Sequence, residues 1–160
     1  MQSAMRKAVE LRIAFCNQRK LGMPITLTLT QGVLPAGQEA VAVAQITDAF
    51  LKHHGLAGHR VMTPNVTAHL VVLPKESTFS GGKPVAGAWV ETKTPSFALA
   101  DRAVQAAFFC EATQILHDLS GGTLSKDRIW SNGVHAVDGT WNIAGKALSN
   151  AEIAEALSAG

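Results

Sequence analysis

Ile25, Leu27 and Leu29 alternate with Thr26, Thr28 and Thr30. A period of two built from apolar and β-branched residues predicts a strand with one buried face. After Gln31 and Gly32 the spacing changes. Ala42, Ile46, Ala49, Phe50 and His53 recur every three or four positions, which predicts an amphipathic helix over residues 36–54, with Pro35 in its first turn and Gly55 and Gly58 at its end. Val66 to Leu73 is mostly apolar and β-branched, the mark of a well-buried strand, and Pro74 stops it. Lys75 to Pro84 is a loop holding Phe79-Ser80-Gly81-Gly82, and Val85 to Thr92 reads as a third strand. Ser96 offers an N-cap for a second helix, whose stripe is Leu99, Ala103, Ala106, Cys110 and Thr113 and whose end lies near Leu119, before Gly121-Gly122. Arg128 to Val134 is a fourth strand. Ser149-Asn150-Ala151-Glu152 has the form of a capping box opening a last short helix.

The order strand-helix-strand therefore occurs twice, in halves of similar length. Right-handed crossovers then give an α/β (α+β) fold in which two β-α-β units form one four-stranded sheet with both helices on one face. The other face, expected to carry Leu27, Val71 and Trp89, needs cover, and packing between copies of the chain would supply it.

At 160 residues, 47% hydrophobic and 16% charged, the chain has material for one real core, and no apolar run nears the roughly 18 residues of a membrane span. Charge divides the chain in two. Arg6, Lys7, Arg12, Arg19 and Lys20 against Glu10 alone put +4 on residues 1–22, so a total of +2 leaves the rest at −2. The reading is an N-terminal extension, residues 1–22, and a single domain, residues 23–160. The extension lacks the long apolar stretch and the cleavage site of a secretory signal. It reads as sequence upstream of a true start at Met23. A transit peptide, or a short helix with Met5, Val9, Ile13 and Cys16 on one face, is the alternative. The slightly acidic body lacks a basic-aromatic stripe and so excludes nucleic-acid binding. Cys16 and Cys110 have no framework or metal spacing, and Cys110 reads as a reduced core residue.

Several motifs carry little chemistry. His53 and His54 point to different helix faces, and with His59 they have no Cys or carboxylate at ligand spacing, so no metal is expected. His69 falls in the buried-strand pattern as a core histidine, His117 near a helix C-terminus, and His135 just past the fourth strand, where it could face a pocket. Gly81-Gly82-Lys83 is no phosphate loop, because Pro84 follows where Ser or Thr is needed. No Gly-x-Ser-x-Gly elbow occurs.

Pro24 is different. If the chain starts at Met23 and loses it, Pro24 is a free secondary amine on the first residue of a strand. An α-amino group titrates at roughly 7.7–8.0, and an apolar surround lowers that, giving a general base for neutral pH. If residues 1–23 stay attached, the same nitrogen is a tertiary amide without a basic lone pair.

Met23-Pro24-Ile25, Val71-Val72-Leu73-Pro74 with Phe79-Ser80-Gly81-Gly82, and Asp127-Arg128-Ile129-Trp130-Ser131-Asn132, in that order, resemble the tautomerase superfamily over about Pro24 to Asn142. The nearest likeness is to the macrophage migration inhibitory factor branch, with a weaker one to the cis-3-chloroacrylic acid dehalogenase group. The resemblance implies a cytoplasmic, cofactor-free homotrimer. Its amino-terminal proline would move a proton in a pocket at a subunit interface, on small 2-oxo acids or unsaturated carboxylic acids. Carried onto this sequence, it makes Pro24 catalytic. Lys93 becomes the anchor of a substrate carboxylate, or a solvated strand end. Trp130 replaces a pocket tyrosine as an aromatic wall, or sits half-buried in the core. Asn132 matches a pocket asparagine. Thr63 stands where the nearest branch has a lysine, with Arg60 and His59 as nearby cations. The dehalogenase group's arginine pair is missing, and Asp138 is the one candidate for its acid, which argues against that reaction. A non-catalytic trimeric binding module on the same scaffold is the alternative function.

Overall fold

In the computed structural model, residues 23–60, 62–143 and 145–158 are described. The N-terminal extension, with its proposed helix, lies outside them. Strand β1 (Ile25–Thr30) leads to helix α1 (Gln38–His53) and strand β2 (Ala68–Leu73), then a two-residue-per-strand hairpin, β3 (Phe79–Ser80) and β4 (Lys83–Pro84). Strand β5 (Ala88–Pro95), helix α2 (Arg102–Leu119) and strand β6 (Ile129–Ala136) repeat the plan. A second hairpin, β7 (Trp141–Ile143) and β8 (Lys146–Leu148), and helix α3 (Asn150–Ser158) complete it.

The main sheet has the order β2-β1-β5-β6. β1 runs parallel to β2 and antiparallel to β5, and β5 runs parallel to β6. The expected α+β architecture of two β-α-β units around one four-stranded sheet is the architecture found. Ile25, Leu27, Leu29, Val90 and Ile129 form the buried face, against Ala42, Ile46 and Phe50 of α1 and Phe108, Ala112 and Leu116 of α2. Phe50 and Phe108 meet edge to face, centroids 5.3 Å apart, a contact worth roughly 0.5–1.5 kcal/mol beyond its buried area. Leu27, expected on the bare face, is therefore a core residue, because it shares its side with Ile25 and Leu29.

Other boundaries shift for local reasons. Pro35 does not enter α1; it makes a turn by accepting from Gln38 N–H, and Gly37, at φ 86°, precedes the first helical residue. Ser96 is not the cap of α2. Pro95 to Ala98 is a turn, and Asp101 caps the helix, its Oδ1 accepting from the N–H groups of Ala103 and Val104. The later start rotates the buried stripe to Phe108, Ala112 and Leu116, leaving Ala103, Ala106 and Cys110 exposed. Cys110 is thus a surface thiol and not a core residue. Strand β2 is an edge, not a buried strand. It has one neighbour, and Leu70, Val71 and Val72 are all exposed, as is His69. The capping box before α3 forms in both directions: Ser149 N–H donates to Glu152 Oε2 at 2.8 Å, and Glu152 N–H donates to Ser149 Oγ at 3.3 Å.

Candidate functional site

The register of the sheet fixes what the helix-free face presents. Pairs in register point to the same side. One row holds Thr28, Trp89 and Trp130, flanked by Val71. The next holds Thr26, Glu91 and Asn132, flanked by His69. A third runs from Pro24 through Lys93 to Val134, Lys93 N–H donating to the Pro24 carbonyl at 3.0 Å. Thr26, Thr28, Trp89, Glu91, Trp130 and Asn132 line a groove of about 430 Å³, together with Phe79 of the β3–β4 hairpin. Gly81 and Gly82, with φ of 56° and 77°, allow that hairpin's two-residue turn.

The groove has an aromatic floor and a charged rim. Trp89 and Trp130 stack with centroids 4.8 Å apart and planes 14° from parallel. Gly87 makes room for this, because a Cβ there would lie 2.5 Å from Trp130 Cζ3 and 2.8 Å from the Arg128 carbonyl. At the rim Glu91 Oε1 lies 3.1 Å from Lys93 Nζ, both groups substantially exposed.

No family model matches the sequence, and no curated protein matches it. The fold does match solved structures. A fused 4-OT, a wild-type symmetric trimer, superposes with TM-score 0.64 at 15% identity, over 81% of this chain and 98% of its own. A member of the cis-3-chloroacrylic acid dehalogenase family does so with TM-score 0.61 at 14% identity, over 86% of this chain and 99% of its own. A macrophage migration inhibitory factor-like protein from Entamoeba histolytica gives 0.59 at 15% identity, over 75% and 93%. The chain has the tautomerase-superfamily fold.

Within that tautomerase fold, Pro24, Lys93, Trp130 and Asn132 share the helix-free face. His69 flanks the same face on the edge strand, and Asp138, Thr63 and the other histidines lie elsewhere or are engaged. Asp138 follows β6, and its Oδ1 accepts from Asn150 N–H at 2.6 Å. Thr63 lines a separate cavity beside α1 and α2, with Gln45, Lys52 and Glu111. His59 Nδ1 accepts from Met62 N–H. His135 is in register with buried Thr94, which puts it on the helix side of the sheet and not toward the groove. His53 Nε2 lies 2.6 Å from Glu111, whose carboxyl is held below its usual range by hydrogen bonds from Lys52 and His53. His54 accepts from Leu99 N–H through Nε2, so Nδ1 carries the proton toward the Phe50 carbonyl. His117 bonds the Leu124 carbonyl at 2.8 Å.

Glu91 was not singled out from the sequence. Its signal was there: Trp89, Glu91 and Lys93 alternate with Val90 and Thr92, so a charged pair stands two apart on one side of a strand.

Proposed function

We propose that the chain is a tautomerase-like enzyme acting on small 2-oxo acids or unsaturated carboxylic acids, with Pro24 as its general base and acid once Met23 is removed. The observation that supports this is the pairing of Pro24 with Lys93 across β1 and β5, on the same sheet face as the tryptophan-floored groove and one row beyond Glu91 and Asn132, which line it. Lys93 anchors the substrate carboxylate. Asn132 donates to the substrate oxygen, and Trp130 with Trp89 keeps water off the reacting carbons. The unprotonated Pro24 amine takes the enol proton and, as an ammonium, returns a proton to the adjacent carbon. Lys93 supplies fixed positive charge against the developing enolate, usually the largest contribution in such chemistry. No cofactor has a role. The protein works as a homotrimer that covers the exposed helix-free face, consistent with the trimeric fused 4-OT neighbour. Asp138, held by Asn150 N–H, has no part in the proposed machinery.

The test is turnover of phenylenolpyruvate by protein beginning at Pro24. Pro24→Gly should keep the trimer and lose most of the rate. Unchanged turnover sinks the proline mechanism.

One observation favours a second reading, a non-catalytic trimeric binding module. Met23 is 2% exposed, packs in the core and donates its N–H to the Asn65 carbonyl at 2.8 Å. A chain that keeps Met23 seated there has an acylated Pro24. Intact mass of the protein from its own host separates the two readings.

A further inference from the structure

A third cavity lies at the far end of β1 from Pro24. Gln31 is seven residues on from Pro24, about 23 Å at roughly 3.3 Å per residue. The cavity, of about 420 Å³, is lined by the turn after β1, by Lys75 after β2, and by Thr123, Ser125 and Arg128 in the connection from α2 to β6. Its two charged lining groups are cations. The ion pairs among the described residues include neither Lys75 nor Arg128. Arg128 is half-buried, in the residue just before β6. Lys75 lies along the β1–α1 turn, its Cε 3.7 Å from where a Gly32 Cβ would stand.

Neighbouring polar groups are already committed. Thr123 Oγ1 donates to the Ser120 carbonyl, Ser125 Oγ donates to Asp127, and Lys126 Nζ donates to Gln114 Oε1. Asp127 is exposed and does not line the cavity. The unspent donors are therefore the ammonium of Lys75, the guanidinium fork of Arg128 and the Gln31 amide. Val33, Ala86 and Leu124 give the cavity apolar walls. A volume of this size suits a small organic molecule. A planar fork plus a point charge suits an oxyanion, which the fork holds through two parallel bonds.

We infer that the cavity formed by Lys75, Arg128 and the turn after β1 binds a small organic oxyanion, a phosphate ester or a carboxylate, separately from the groove at Pro24.

The full chain is titrated with sodium phosphate and, separately, with sodium succinate, against sodium chloride at matched ionic strength, and backbone amide shifts are followed by NMR. The expected result is saturable shifts confined to residues 31–33, 75 and 123–128 with at least one of the two anions. Arg128→Gln and Lys75→Gln should each weaken that binding at least tenfold, while Arg102→Gln, at the start of α2, leaves it unchanged. Phosphate alone binding narrows the ligand to phosphate esters; succinate alone narrows it to dicarboxylates. Shifts no larger than those from chloride overturn the site. So does binding that survives both Lys75→Gln and Arg128→Gln. Lys75 lies in a turn outside the main sheet, so its variant tests the site even if Arg128→Gln perturbs β6.

Discussion

Glu91 Oε1 and Lys93 Nζ stand 3.1 Å apart at the rim of the groove, with Lys93 more than half exposed. The carboxylate of Glu91 occupies the cation that the proposed reaction needs for its substrate. An exposed pair of this kind is worth only about 0.2–1 kcal/mol, so a bound substrate carboxylate can displace it. Glu91→Gln should therefore lower KM for an anionic substrate by up to about fivefold, the upper end of what that energy implies. Lys93→Gln should raise KM by about tenfold, in keeping with the loss of one partly screened charge-assisted hydrogen bond. Steady-state kinetics on both variants checks this. A KM that moves the same way in both contradicts the anchoring role.

The stacked tryptophans depend on a residue that touches them by having no side chain. Gly87→Ala places a methyl group 2.5 Å from Trp130 Cζ3 and 2.8 Å from a backbone oxygen. Overpacking of this sort costs roughly 1–3 kcal/mol. Urea denaturation should show that loss, and tryptophan fluorescence should shift as the stack opens. A variant as stable as the parent, with an unchanged spectrum, would show that the pair is not held as described.

Helix α2 offers a direct comparison of two caps. Asp101→Ala removes an acceptor shared by two orphan N–H groups and should cost about 1 kcal/mol in chemical denaturation. Ser96→Ala should cost less, since Ser96 serves as the acceptor for Asn150 Nδ2 and caps nothing. Reversal of that order would restore Ser96 as the start of the helix.

Burial holds His54 below the ordinary histidine pKa of 6.5, outweighing its bond to the Phe50 carbonyl. The unfolded chain then binds more protons there than the native one. Stability from this group is fully present above about pH 6.5 and is lost as pH falls through the lower native value. Protonation also turns Nε2 into a donor facing the Leu99 N–H it now accepts from. Denaturation midpoints between pH 5 and 8 should fall on the acid side for the parent chain and fall less for His54→Gln. Parallel curves would remove His54 from the acid response.

What could be read from the sequence follows the strength of each local pattern. β1 was legible because three apolar and three threonine positions alternate without interruption, and α3 because the Ser149–Glu152 spacing is a complete capping signal. The burial of β2 was not legible. A run of Val and Leu looks alike in a central strand and at an exposed sheet edge. The α2 stripe was misplaced because alanine and cysteine fit either side of a helix, and Asp101 competes with Ser96 as a cap. On the helix-free face, Pro24 stands out by the chemistry of a free prolyl amine, Lys93, Trp130 and Asn132 come from resemblance, and Glu91 follows from strand parity alone.

The most direct test of the proline mechanism is enol turnover measured side by side on the full 160-residue chain and on protein beginning at Pro24, with N-terminal sequencing of both samples. An acylated proline has no lone pair to accept a proton, so the shortened protein should be at least about a hundredfold faster, the range general base catalysis supplies. Equal rates, with the full chain confirmed to carry residues 1–23, would contradict a catalytic Pro24 and leave the groove to a binding function.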